Sequence, residues 1–229
     1  MNWVFTTLID DPMNEYYVLG CSHSILSLYA ENVYATHSTD AKIIVVQNAP
    51  IKDEHIPFAI DMLCVHKVSP DRETLKNVGV IIGVDRPSTK EAIFKKFLED
   101  YDVAQQAYIN LIHPSVIISQ TSEITNGTYI GPGSILAPYS KIGHSVTINR
   151  RVAIGHHTTI DDYSTLAPGS NVAGHCNIGH GVTIGLGANV IDGVQIGDNA
   201  IIGAGALVAK SIPANVLAYG VPAKVVRTI

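Results

Sequence analysis

Five of the ten histidines stand close together in the chain, at positions 144, 156, 157, 175 and 180. Imidazole changes charge near neutral pH, so a histidine can take a proton from an attacking amine or hydroxyl. It can equally hold a transition metal, and His175-x4-His180 has a ligand-like spacing for zinc. Asp161 and Asp162 could orient a histidine base, and they also read as solvated turn residues. Which of these side chains meet depends on the backbone that carries them.

That backbone is repetitive. Aliphatic residues recur at every sixth position from Ile118, Ile124, Ile130 and Leu136 onward to Ile202 and Val208, sixteen in succession, and a small or β-branched residue stands two positions before each. Glycine follows the aliphatic position at 131, 143, 155, 179, 185, 197 and 203, where a corner is expected to need unusual φ/ψ. A period of six matches neither a helix face nor a plain strand. It predicts a solenoid whose triangular coils each take three hexads, a little over five coils in all. Residues one coil apart then stack at roughly 4.8 Å. In that phase Gly174 lies above His156, His175 lies above His157, and Tyr139 lies below His157.

The first half has a different pattern. Tyr16–Gly20 and Ala41–Val46 read as strands around a helix with Ile25, Leu28 and Tyr29 on one face, and Val78–Val84 reads as a further buried strand. Ser88-Thr-Lys-Glu91 reads as a capping box opening a helix that packs through Ile93, Phe94, Phe97 and Leu98. Alternating strands and helices imply a parallel sheet. The expectation is a small α/β, Rossmann-like domain over 1–112, an all-β parallel helix over 113–210 and a C-terminal tail over 211–229.

Composition narrows the function classes. With 46% hydrophobic and 15% charged residues, the chain is neither disordered nor a solvated helical array. Fifteen Lys and Arg in no cluster, at a net charge of −5, speak against a nucleic-acid partner. Apolar runs such as Ile43–Val46 and Val80–Ile82 fall far short of the roughly 18 residues that span a bilayer, so neither a membrane span nor a secretory leader is expected. Cys21, Cys64 and Cys176 are odd in number and unpatterned, which suits a reducing compartment and a cytoplasmic location.

The hexad column, with Ala206-Leu-Val-Ala-Lys210-Ser-Ile-Pro213 and Tyr219-Gly-Val-Pro-Ala-Lys224 after it, resembles the hexapeptide-repeat acyltransferases, which wind a left-handed parallel β-helix. The α/β unit joined to it through Leu111-Ile-His-Pro-Ser115 makes nearly the whole chain similar to sugar acetyltransferases of the sialic-acid O-acetyltransferase and bacillosamine N-acetyltransferase type. The resemblance implies N- or O-acetylation of a nucleotide-linked sugar in surface glycan biosynthesis. It also implies acetyl-CoA as co-substrate, no metal, and a homotrimer.

Carried onto this sequence, the resemblance puts the catalytic base at His156 and a cofactor- or carbonyl-contacting residue at Asn149, seven positions earlier. It gives oxyanion support to the Gly174 N–H, coenzyme A contacts to Lys210 and Lys224, and a nucleotide loop to Gly20 and Ser22. The sequence departs from the pattern at several points. Gly20-Cys-Ser-His-Ser24 keeps one glycine and Gln47-Asn48 stands where an acidic residue would follow the strand, so the first domain either binds nucleotide or serves as support. His157 stands where an acidic residue usually follows the base, which makes it the candidate supporting residue, and Thr165 replaces a second histidine. Trimeric γ-type carbonic anhydrases offer a rival on the same helix, with zinc held by histidines of adjacent subunits. Tyr139 and Ala153 occupy the positions where a third ligand for His175 and His180 would stand. A non-enzymatic scaffold is the third reading.

Overall fold

The computed structural model describes residues 15–20, 23–36, 42–46, 65–68 and 71–229; Cys21, Ser22, Gln47, Asn48 and Cys64 lie outside them. Strands β1 (Glu15–Leu19), β2 (Lys42–Val46), β3 (Val65–Val68) and β4 (Val80–Ile82) form a parallel sheet in the order β3-β2-β1-β4. Helix α1 (His23–Thr36) follows β1, α2 (Arg72–Lys76) lies between β3 and β4, and α3 (Pro87–Tyr101) follows β4. The central strands are apolar and buried on both faces, as parallel sheets require. Helix α1 buries Ile25, Tyr29 and Val33, and the Tyr29 hydroxyl donates to the Ile82 carbonyl at 2.7 Å. Strand β3 was not foreseen, because Val65-His-Lys-Val68 is short and polar at its centre, a pattern tolerated at a sheet edge.

Helix α3 begins differently from the expectation. Pro87 takes the first helical position and Arg86 caps without a side-chain bond, so Ser88 is already inside the helix and no capping box forms. Glu91 instead pairs with Lys95 at 2.7 Å and with His180 at 3.3 Å. Leu98, expected on the packed face, is 40% exposed, while Lys90 on that face is buried.

From β5 (Leu111–Ile112) to β21 (Leu207–Val208) the chain runs as two-residue strands every sixth position, stacked in three parallel columns. The register is one coil, as in Lys141 with Thr159, Thr147 with Thr165 and Ala153 with Asn171. The aliphatic residues from Ile130 to Val208 form one continuous axial core. The residue two positions earlier is also interior. Several of these are hydroxyls that donate to a carbonyl fifteen positions on: Ser134 Oγ to Asn149 O at 2.8 Å, Thr158 Oγ1 to Ala173 O at 2.7 Å, and Ser164 Oγ to Gly179 O at 2.8 Å. Cys176 holds the same position with its thiol toward the Ile191 carbonyl at 3.2 Å, and burial pushes its pKa up. It is a packing residue.

The glycines after the aliphatic positions have a reason other than the one expected. The left-handed residues lie two positions later, at Gly133, Tyr139, Ser145, Arg151, His157, Tyr163, His175 and their equivalents. Gly155 is needed because a Cβ there would come within 2.4 Å of the Ala173 C and Gly174 N atoms of the next coil.

Lys90 joins the two halves. Its ammonium donates to the Ser145 carbonyl at 2.9 Å and the Ser164 carbonyl at 3.1 Å, and it lies 3.1 to 3.2 Å from the Thr165 and Thr147 hydroxyls. After the last coil, β22 (Val216–Gly220) continues one column in parallel and β23 (Ala223–Thr228) turns back antiparallel. No helix among the described residues is long and apolar enough to cross a membrane.

Candidate active site

The corner between β12 (Ala153–Ile154) and β13 (Thr159–Ile160) carries His156 and His157, both exposed. Their Nδ1 atoms lie 3.1 Å apart, so one ring donates to the other. A methyl group at Gly174 would lie 2.9 Å from His156 Cε1 and Nε2, and 2.9 Å from Asp192 Oδ1. The imidazole of His156 therefore occupies the space that a side chain at 174 would need. The Gly174 N–H has no acceptor among the described residues. His175 stacks on His157 with ring centroids 5.0 Å apart and meets His156 edge-on at 4.8 Å, while the Tyr139 ring covers the other side of His157 at 4.8 Å.

The strand register places His156, Gly174, Asp192 and Lys210 in a single column along this corner. Three steps of roughly 4.8 Å put Lys210 about 14 Å above His156. Asp192 was missed in the sequence, although it stands at the same phase two coils after His156.

Other predicted residues lie elsewhere. Asn149 is on the preceding corner, with its Oδ1 accepting from the Arg150 N–H at 2.9 Å. Lys224 stands on the β22–β23 hairpin, and no hydrogen bond or ion pair joins it to Lys210 among the described residues. Asp161 and Asp162 serve turns: Asp161 Oδ1 accepts from the Asp162 N–H at 2.8 Å, and Asp162 Oδ1 from the His144 N–H at 2.6 Å. Thr165 donates to the Asp85 carbonyl at 2.6 Å and belongs to the Lys90 contact.

The remaining repeat histidines pack under α3. His144 is buried, bonded through Nδ1 to the Asn126 carbonyl at 2.7 Å and surrounded edge-on by Phe94, Tyr108 and Tyr163. Desolvation pulls its pKa down. His180 faces Glu91 and Tyr163, so the zinc pair suggested by His175-x4-His180 does not assemble.

In the first half, Gly20 ends β1 at φ 73°, with its N–H on the Val46 carbonyl at 3.2 Å. Strands β2 and β4 flank β1, so the strand order reverses at this point, where open parallel sheets bind ligands. Gly83 lies against it: a Cβ there would come 2.7 Å from the Gly20 carbonyl oxygen. Sequence reading passed over Gly83, whose only signal is its place just after a strand.

Residues 175–210 match the family described as bacterial transferase hexapeptide, six repeats. No curated protein matches the chain in sequence. Among solved structures, a mutant perosamine N-acetyltransferase from Caulobacter crescentus in complex with CoA and GDP-perosamine aligns with TM-score 0.76 at 24% identity, covering 93% of this chain and 97% of that one. The acetyltransferase domain of PglB from Neisseria gonorrhoeae, in complex with acetyl coenzyme A, aligns with TM-score 0.75 at 19% identity over 93% and 99%. WeeI from Acinetobacter baumannii aligns with TM-score 0.71 at 23% identity over 92% and 99%. The shared feature is the fold, a small parallel α/β unit leading into a left-handed parallel β-helix.

Proposed function

We propose that the chain is an acetyl-CoA-dependent N- or O-acetyltransferase acting on a nucleotide-linked sugar in glycan synthesis. The observation that carries this reading is the corner column: a histidine ring packed on a glycine whose N–H has no acceptor among the described residues, and a lysine about 14 Å along the same edge. The sugar amine or hydroxyl attacks the thioester carbonyl carbon while His156 Nε2 takes its proton. The Gly174 N–H stabilises the oxyanion. The C–S bond then breaks, and coenzyme A leaves with the proton that His156 holds. For Nε2 to act as the base, His156 Nδ1 carries the hydrogen and donates it to His157 Nδ1, so a neutral imidazole orients the base where related enzymes have a carboxylate.

Coenzyme A runs along the corner toward Lys210, with Asn149 and Lys224 as further contacts. Gly20 at the strand-order reversal, ahead of the N-terminus of α1, takes the nucleotide, and Ser22 is assigned to the same role from the sequence. The perosamine enzyme in complex with CoA and GDP-perosamine supports the choice of these two ligand classes. The chain works as a homotrimer in the cytoplasm. One outer column presents Ile117 and Ile135, 64% and 44% exposed, as the surface for a neighbouring protomer.

The test is release of the coenzyme A thiol from acetyl-CoA in the presence of nucleotide-linked amino sugars, GDP-linked ones first. His156→Ala is expected to lower kcat by about 10²–10⁴. Retention of more than about a tenth of wild-type turnover refutes the role of the base.

A further inference from the structure

We propose that His156, His157 and His175 also form a binding site for a divalent transition metal, represented by zinc, and that its occupancy switches the transferase off. One nitrogen from each ring comes within 4.8 Å of the others, and all three residues are exposed. Zinc–nitrogen bonds of about 2.0–2.1 Å in tetrahedral geometry need donor nitrogens roughly 3.3 Å apart. The Nδ1 atoms of His156 and His157 are already at 3.1 Å, so the set closes by rotating rings and leaves the backbone where it is.

The backbone keeps the set together. His157 and His175 are the left-handed corner residues of successive coils, at φ 57° and 54°, and they stack ring on ring. The spacing is unlike any zinc motif in sequence because one coil separates two of the ligands. An all-imidazole donor set favours zinc, copper and nickel and offers little to magnesium or calcium. Asp192 Oδ1, which like the His156 ring would lie 2.9 Å from a Cβ at position 174, adds negative charge nearby. Three protein ligands leave a coordination position for water.

The inhibitory step rests on the transferase reading. A metal on His156 Nδ1 moves the ring hydrogen to Nε2, the nitrogen that would accept the substrate proton, so bound metal and base function exclude each other. His175 is a ligand without a part in the transfer, which lets the two be separated.

Titration calorimetry of metal-stripped wild-type protein with zinc chloride is expected to show one saturable site per chain, and copper(II) in its place should give electron-spin coupling to imidazole nitrogen. Asparagine tolerates a left-handed φ. His175→Asn is therefore expected to keep the wild-type melting temperature, bind zinc at least tenfold more weakly, and lose the zinc sensitivity of the turnover it retains. Wild-type turnover is expected to fall with zinc and to return with EDTA. Absence of saturable zinc binding by the wild type, or equal affinity in His175→Asn, overturns the site. Zinc that binds the triad without lowering turnover overturns the inhibitory coupling and, with it, the role of His156 as base. Absence of zinc binding beside a loss of turnover in His156→Ala removes this inference alone and leaves the transferase reading standing.

Discussion

Gly174→Ala tests the position of His156, the proposed base, separately from the other features of the site. The added methyl would sit 2.9 Å from His156 Cε1 and Nε2, against about 3.5–4.0 Å for relaxed contact, so the ring must recoil by roughly 0.6–1 Å. The Gly174 N–H is retained, and the atoms that must give way, on His156 and Asp192, are ends of side chains, so folding should be undisturbed. A displacement of about 1 Å at a reacting group costs on the order of 10²-fold in rate. The expected result is a kcat about 10²-fold lower with an unchanged melting temperature. Gly155→Ala is the control. Its methyl would meet backbone atoms of Ala173 and Gly174 at 2.4 Å, which cannot step aside. That variant should lose about 1–3 kcal/mol of stability, the cost of overpacking, and melt earlier. Steady-state thiol release and thermal melting of both proteins decide the matter. A Gly174→Ala enzyme with kcat within about twofold of wild type, against the 10² expected, would refute the packing of His156 on Gly174 as a catalytic arrangement.

His157→Asn, which suits the left-handed backbone, should lower kcat less than His156→Ala does, because it removes an orienting neutral partner and leaves the base; an equal loss would make the pair a single catalytic unit. Burial pulls Lys90 down to about 7, with the Asp85 charge opposing, so between that value and the ordinary lysine range the unfolded chain holds the extra proton. Stability should therefore rise with pH across that window, by at most about 1.4 kcal/mol per unit, and denaturant titrations of Lys90→Met should lose this slope; an equal slope in the variant counts against the contact. Light scattering should give three times the 24.5 kDa chain mass, and Ile135→Glu should break that assembly; a monomeric wild type excludes a trimer.

The parts of this fold that were legible in the sequence are those fixed by a period. The aliphatic column from Ile130 to Val208 became the axis because a period of six returns these side chains to the interior of every coil, where they bury one another. The stacking of Gly174 on His156 follows from that same period, and Asp192 could have been found by one further step. Position on a corner was harder to read. Glycines and left-handed residues both recur every six positions, and only the coordinates show that Gly155 answers to the coil above it while His157 carries the positive φ. The first half was legible in its apolar strands and obscure wherever contacts are distant. Nothing near Lys90 in sequence announces four oxygens contributed by residues 145 to 165.

The division of the repeat histidines into two groups depends on what covers each corner. His144 is buried against Phe94 and Tyr108, and the half-buried His180 is occupied by Glu91 of α3. A ring already committed to the Asn126 carbonyl and hindered from charging by desolvation is poorly placed to move protons. His156, His157 and His175 are exposed on a different corner, and among the described residues their side chains share one hydrogen bond, between the Nδ1 atoms of His156 and His157. The same six-residue repeat thus produces packing histidines on one edge and exposed ones on another. The helix that makes the difference is held by a lysine whose side chain ends inside the neighbouring coils. Loosening that contact should expose His144 before it disturbs His156, so exchange at the His144 ring, followed by NMR in Lys90→Met, reports on the docking of the α/β unit independently of catalysis.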